Sequence, residues 1–214
     1  MAKKTIFISS SRGFYEEEVE YKFHAGFAIS QKQKNISSIE SSAKKKHPNS
    51  KVLEVSSKSN NELGVKLSAF NLKLNGTPVE SIFQSSKVFA DGTQFDFVID
   101  YSARDAKKYL KENSRGQLKC FRYNGKEFPL FPKSAFYDYI YIQALIEHKR
   151  LSDNLISYDI FTDVEFYSSK SINCQARACA IYSFLLKSGK IQEYISTFDK
   201  FVRLYKSDET ISLF

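Results

Sequence analysis

Three polar residues, Glu80, Gln84 and Lys87, follow one another at spacings of four and three within the segment 78–89. In a helix, which turns by about 100° per residue, they form one stripe beside the apolar positions. A carboxylate, an amide and an amine then project together next to the core, where the wall of a cleft would lie. Carboxylates serve acid–base catalysis, and an amine of lowered pKa can act as a covalent nucleophile. The same spacing is also typical of a solvated helix flank on which Glu80 only closes a capping box.

The helix that carries this stripe has a clear predicted start. Thr77 can cap it, Pro78 suits its first turn, and Glu80 stands where a capping box requires an acid. The helix is predicted to run to about Phe89. Downstream, the segment 118–128 is predicted to form a hairpin, because an Asn-Gly pair at 124–125 favours a type I′ turn.

Three further helices are predicted in the second half of the chain. Ser134 can cap a helix whose broad apolar stripe is Phe136, Tyr137, Ile140, Tyr141, Ala144 and Leu145. The segment 171–187 is apolar around its circumference, which predicts a buried helix that Gly189 ends. The segment 191–205 is predicted to be a last amphipathic helix.

The first third of the chain has the alternation of β-strands. Apolar and polar residues alternate over 19–24 and over 51–55, which predicts a strand in each segment. Between them, the segment 31–50 is polar and basic, and it is predicted to be a long, disordered loop. Its lysines, Lys32, Lys34, Lys44, Lys45 and Lys46, are candidates for contact with nucleic acid.

The net charge of +8 and a pI near 9.2 favour polyanionic partners, although a lysine-rich surface alone has the same composition. Three cysteines, Cys120, Cys174 and Cys179, argue against a disulfide framework, and no metal site is expected at Cys174 and Cys179. Neither a signal peptide nor a membrane span is recognised in the sequence, so the protein is expected to be cytoplasmic.

The segment 75–89 (NGTPVESIFQSSKVF) resembles the signature of the NADAR family, which includes YbiA-like proteins. That signature has a glycine turn followed by Glu-x-x-x-Gln-x-x-Lys and an aromatic residue. Weaker similarities follow in the expected order, and the resemblance spans roughly residues 65–188. The weaker similarities are found in the Ser-Asn-Phe-like segment 68–72, the Ala-Lys pair at 106–107, the central helix at 136–144 and the strand at 161–166.

Two departures place the chain in a divergent branch of the family. The family's second glutamate is usually followed by Asp and a Trp-Gly pair, and this chain has no tryptophan. An Arg-x-x-Trp element of the central helix is replaced, with Lys133 and Phe136 as its nearest equivalents. The chain is most similar to NADAR proteins that accompany DarT-type DNA ADP-ribosyltransferase toxins as their antitoxins.

The predicted strands of the first third and the helices that follow them indicate one α+β domain. We expect a single NADAR-like domain with a mainly helical core and small antiparallel β elements. Its predicted bounds are 63–214, preceded by an amino-terminal β-rich extension over 1–62.

The resemblance also implies hydrolysis of the N-glycosidic bond between ADP-ribose and guanine in DNA. Lys87 is then the expected nucleophile, forming a Schiff base with the opened sugar, and Lys107 is second. Glu80 and Glu165 are the expected catalytic carboxylates. The expected partners are ADP-ribose, ADP-ribosylated DNA and a DarT-type toxin, and no cofactor is expected.

Six residues are predicted to hold the substrate. Amide groups suit ribose or phosphate oxygens, an aromatic ring suits a base, and guanidinium groups suit the pyrophosphate. These predicted contacts are Asn71, Phe70, Gln84, Lys107, Arg177 and Arg122.

Two other functions remain open from the sequence. YbiA-like relatives are associated with cleavage of a ribosylamine intermediate of the riboflavin pathway, so the substrate could be a small molecule. A non-catalytic module that binds ADP-ribose or DNA is the other reading, since the Asp and Trp-Gly elements of the family are missing.

Overall fold

The computed structural model describes residues 1–169 and 171–211, with side chains up to residue 205. The strands are β1 (Ala2–Ser9), β2 (Phe14–Tyr21), β3 (Val52–Glu54), β4 (Lys73–Leu74), β5 (Thr77–Pro78), β6 (Lys87–Phe89), β7 (Leu118–Tyr123), β8 (Lys126–Phe128) and β9 (Ile160–Thr162). The helices are α1 (Ile29–Lys46), α2 (Glu62–Lys66), α3 (Val79–Ser85), α4 (Ala103–Asn113), α5 (Ala135–Glu147), α6 (Lys149–Ser152), α7 (Gln175–Ser188), α8 (Ile191–Ile195) and α9 (Phe198–Ile211). The predicted α+β class is confirmed.

The amino-terminal strands form a mixed sheet with a strand from the second half of the chain. The strand order is β2-β1-β9-β3, in which β1 pairs antiparallel with β2 and β9, and β3 pairs parallel with β9. Residues on both sides of position 62 therefore share one sheet. The division into an extension over 1–62 and a domain over 63–214 stays a prediction. The last residues of that predicted domain, 212–214, lie outside the described residues.

The sheet has a different layer on each face. Ile6 and Ile8 of β1 pack with α1, whereas Phe7 between them belongs to the larger core. That alternation is the two-residue period of a strand covered on both sides. The larger core contains α5 and α7, which are buried over most of their length.

The prediction of a disordered loop over 31–50 is wrong, because α1 occupies most of that segment. Ile36, Ile39 and Ala43 are spaced three and four apart and are buried against the sheet. The amide of Asn35 bonds both the backbone N–H and the carbonyl of His24, at 2.7 and 2.9 Å. A narrow apolar stripe and one buried amide thus stabilise a helix whose other faces are polar.

The predictions for the second half of the chain are confirmed in part. β7 and β8 form the predicted hairpin, with Asn124 and Gly125 at φ 49° and 72° as a type I′ turn requires. Gly189, at φ 69°, ends α7 as predicted, although that helix begins at Gln175 rather than at Ser171. The single helix predicted over 191–205 is wrong, because α8 and α9 are separate helices there.

Candidate active site

The helix α3 is buried over its whole length. Glu80 is 8% exposed and Gln84 is 2% exposed, so the polar stripe faces the interior. A solvated flank is therefore excluded as the explanation of the spacing. Buried polar groups are costly unless they are paired, so each needs a partner in the protein or in a ligand.

This helix is shorter than predicted at both ends. Thr77 lies in β5 and makes no cap, and the helix begins at Val79 after Pro78. At the other end the hydroxyls of Ser85 and Ser86 both donate to the carbonyl of Ile82, at 3.1 and 2.7 Å. Such side-chain bonds compete with the helical backbone pattern. The chain leaves the helix there, and the next residue begins β6.

The four polar residues Lys87, Gln84, Glu80 and Lys107 form one hydrogen-bonded chain. The Lys87 amine donates to Gln84 Oε1 over 2.6 Å, and Gln84 Nε2 donates to Glu80 Oε1 over 2.9 Å. The Lys107 amine, from α4, lies 2.8 Å from the same Glu80 oxygen. The amide of Gln84 is therefore fixed between a donor and an acceptor.

The Lys87 amine has the environment of a nucleophile. The pKa of this amine is lowered to about 8, chiefly by burial, with the charge of Glu80 opposing the shift and the charge of Lys107 adding to it. The amine also lies 5.0 Å from the centroid of the Phe83 ring. A lysine with this pKa is partly uncharged near neutrality, which covalent catalysis requires.

Lys87 lies on the wall of a cleft of about 400 Å³. The floor of this cleft is aromatic. Phe83 lies 5.3 Å from both Phe121 and Tyr137, and Phe121 is stacked on Phe136 at 4.6 Å. Lys87 therefore lies at a cavity of the size that small ligands occupy, whereas Glu80, Gln84 and Lys107 are not among the residues that line it.

A second network fixes the side of the cleft where α5 begins. Ser134 precedes α5 in a left-handed conformation and does not cap it, so its predicted capping role is wrong. Its hydroxyl instead donates to the buried Asp138 over 2.5 Å. Arg177 Nη1 donates to both residues, and the Tyr205 hydroxyl donates to Asp138 over 2.6 Å. Arg177 thus forms a structural ion pair with Asp138. Its contact with a pyrophosphate stays a prediction.

The remaining predicted substrate contacts lie outside the residues that line this cleft. Arg122 forms an ion pair with Glu127 at 2.6 Å. The Asn71 amide donates to the carbonyl of Val65 over 2.8 Å. Phe70 is half exposed in the turn before β4. Their contact with a substrate stays a prediction.

Glu165 is not among the residues that line the cleft with Lys87. It is exposed and forms an ion pair with Lys32 at 3.1 Å. Two more of the basic candidates of α1 also have carboxylate partners, since Lys44 pairs with Glu40 and Lys46 with Glu17. These pairs lower the positive charge that α1 offers to a nucleic acid.

The sequence did not single out Asp163, although it lies two residues before Glu165. Asp163 is buried, and burial together with the charge of Glu54 raises its pKa to about 7. Tyr137, on the cleft floor, is also buried, and the charges of Glu80 and Asp163 add to the effect of burial in raising its pKa. The available signal was the position of Asp163, which directly follows β9, a strand whose three residues are all buried.

A comparison with protein families gives a match over almost the whole chain. A model described as the DarT1-associated NADAR antitoxin matches residues 2–212. The chain belongs to this family. The match begins in β1, so in this NADAR protein the amino-terminal sheet is part of the family's own sequence pattern. The comparison with curated proteins found no significant match.

None of the helices in the described ranges is long and apolar enough to cross a membrane.

Proposed function

We propose that this NADAR protein is a glycohydrolase that removes ADP-ribose from guanine bases of DNA and thereby counteracts a DarT-type toxin. The observation that carries the proposal is the Lys87 amine, with a pKa of about 8, on the wall of a cleft and hydrogen-bonded to Gln84. Family membership supports the pairing with a DarT-type toxin. The proposed location of the protein and of its DNA substrate is the cytoplasm.

Lys87 is the proposed nucleophile. Its uncharged amine forms a C–N bond to the ribose C1, the bond from C1 to the base nitrogen breaks with its electrons going to the base, and the base takes up a proton. The attached amine then loses a proton and the bond from C1 to the ring oxygen breaks with its electrons going to that oxygen, which takes up a proton, so that an imine joins Lys87 and C1. Water then adds to C1, the C–N bond to Lys87 breaks, and ADP-ribose leaves with the amine restored.

Glu80 and Gln84 have separate proposed roles. Positive charge develops on the sugar as the base departs, and the Glu80 carboxylate stabilises it. Gln84 is a positioning residue, since its amide contacts both Glu80 and Lys87. The proposed role of Lys107 is to meet an anionic part of the substrate, which its half-exposed side chain at the end of the hydrogen-bonded chain supports.

The proton for the departing base comes, in this proposal, from the Tyr137 side of the cleft. Nearby negative charge and burial keep the Tyr137 hydroxyl protonated. Asp163, with a pKa of about 7, retains a proton near neutrality and can supply one in turn. Glu165 remains the alternative predicted from the sequence.

The direct test is turnover of a single-stranded oligonucleotide that carries ADP-ribosylated guanine. Release of free ADP-ribose, and a lysine adduct at Lys87 after borohydride reduction, are the expected results. A free ribosylaminopyrimidine phosphate is the competing substrate and should be turned over far more slowly. Preference for the small molecule, or tight ADP-ribose binding without turnover of either substrate, would overturn the proposal.

A further inference from the structure

The cleft beside Lys87 continues from a polar wall into an apolar interior. Lys87 lies above Phe83, and Phe121 and Phe136 extend the aromatic floor away from the amine. Leu118, Leu130 and Pro132 add to the lining. A ligand group that enters this interior next to the reacting atom must therefore be flat and largely apolar on its faces.

The charges of the lining exclude the phosphate-bearing part of the substrate from this interior. Lys87 and Lys133 are the cations among the described residues that line the cleft. Lys133 is exposed, and Lys87 is partly uncharged. A diphosphate buried between phenylalanines would lack the donors and cations that compensate its desolvation.

The mouth of the cleft carries two large apolar side chains that the fold leaves in solvent. Phe131 is 67% exposed and Ile172 is 57% exposed, and both line the cleft. Single exposed apolar residues are ordinary, but here two of them line the opening of the same aromatic cleft and add apolar surface to it. That surface can cover a planar group which has entered the cleft.

We infer that this cleft binds the purine base from which the ribose is released, with Phe131 and Ile172 covering the base at the entrance. The inference rests on the proposed function, because it takes Lys87 as the residue that attacks C1. The base is bonded directly to that carbon, so it must lie within one bond of the reaction. The adenine of ADP-ribose is separated from it by two sugars and a diphosphate.

A base in this position has to leave the DNA stack, because the reacting carbon lies inside the protein. Asn173 is a polar side chain of the lining that can meet the edge of the base, whereas the Ser134 hydroxyl is bonded to Asp138 and Arg177. Stacking on aromatic side chains adds roughly tenfold or more to affinity per base. Single-stranded DNA is therefore the substrate form that this cleft favours.

The test compares Phe131→Ala and Ile172→Ser with Phe27→Ala, a control at a fully exposed phenylalanine outside the cleft lining. The first probe is a single-stranded oligonucleotide with one 2-aminopurine, whose fluorescence falls when the base stacks. Wild type and Phe27→Ala should quench it equally, and both cleft variants should bind it roughly tenfold more weakly. Equal quenching in all four proteins would overturn the inference, whether or not the protein has glycohydrolase activity.

The second measurement separates the two purines of the substrate. In Phe131→Ala the KM for the ADP-ribosylated oligonucleotide should rise about tenfold, with binding of free ADP-ribose within twofold of wild type. Equally weakened ADP-ribose binding would place adenine in the cleft and overturn the inference. Absence of turnover by the wild type would instead contradict the proposed function, and the 2-aminopurine result would still decide the question of the base.

Discussion

Lys107 Nζ lies 2.8 Å from Glu80 Oε1, so the second candidate nucleophile is ion-paired with the predicted catalytic carboxylate. The hydrogen-bond partner of Lys87 is instead the neutral amide of Gln84. Burial favours the neutral, nucleophilic form of an amine and lowers the pKa of Lys87, whereas the Lys107 side chain is half exposed. The structure thus favours Lys87 as the nucleophile of the two.

Replacement of Lys87 should remove the covalent step. In Lys87→Ala we expect release of ADP-ribose to fall by about 10²–10⁴-fold, as for other catalytic groups, and the borohydride adduct to disappear. Lys107→Ala should keep the adduct at Lys87 and lose less activity. Both are measured by single-turnover release and mass spectrometry, with circular dichroism as the check on folding. An adduct that persists in Lys87→Ala would identify another nucleophile.

The pH dependence of activity should follow the Lys87 amine. With a pKa of about 8, roughly a tenth of the amine is uncharged at pH 7. With a leaving base that needs no protonation, so that loss of the Asp163 proton above pH 7 does not limit the rate, activity should rise with pH through about 8. Lys107→Gln removes a charge that lowers this pKa and should move the midpoint to higher pH. Glu80→Gln removes a charge that raises it and should move the midpoint to lower pH.

The control for these profiles is Lys108→Gln, at an exposed neighbour on α4. Its midpoint should equal that of the wild type in single-turnover measurements. Shifts of the same sign in Lys107→Gln and Glu80→Gln would show that the midpoint belongs to a group other than Lys87.

The sequence predicted the polar stripe because its residues are close in the chain. Gln84 contacts both Glu80 and Lys87 within one short helix and the two residues that follow it, so their spacing carried the information. The hairpin at Asn124-Gly125 was equally local. Even the error in the length of α3 left the stripe intact, because Lys87 still follows the last helical turn.

The residues that the sequence did not reveal depend on contacts between distant segments. Asp163 acquires its environment from Glu54 and from Lys4, which lie more than 100 positions earlier in the chain. The helix α1 was missed for a similar reason, since its three buried apolar residues become informative only once the sheet that covers them is known. Charge counting likewise could not show that Lys32, Lys44 and Lys46 are paired with carboxylates.

Gly64 in α2 is expected to tolerate no side chain. A Cβ atom there would lie 1.9 Å from the backbone oxygen of Glu54 and 2.6 Å from Ser59 Oγ. Gly64→Ala should therefore destabilise the protein by about 2–3 kcal/mol or more in urea unfolding, as overpacking does. Gly13→Ala is the matched control, because no heavy atom lies within 4 Å of its added Cβ. Equal stability of the two variants would contradict this close packing.

Stability itself should depend on pH through Asp163. Its pKa in the folded protein is raised to about 7, whereas in the unfolded chain it is near 4. Between these values the folded state holds a proton that the unfolded state has released, so stability should decrease as pH rises from about 4 to about 7. Asp163→Asn should make this decrease smaller, as measured by urea unfolding at pH 5 and pH 7. An unchanged slope would mean that Asp163 is ionised in the folded protein at both pH values.

A matched pair of amide substitutions can decide whether Asp163 or Glu165 supplies the proton for the departing base. Asp163 is buried, and its charge acts on Tyr137 on the cleft floor, whereas Glu165 is exposed and bound to Lys32. If Asp163 supplies the proton for the base, Asp163→Asn should lower single-turnover release by about 10²-fold or more, and Glu165→Gln by less than about threefold. A base that needs no protonation on departure, such as one already carrying a positive charge, should largely restore the rate of Asp163→Asn. A merely structural role of Asp163 would leave the defect equal for both leaving groups, and the reverse order of the two variants would restore Glu165 as the catalytic carboxylate.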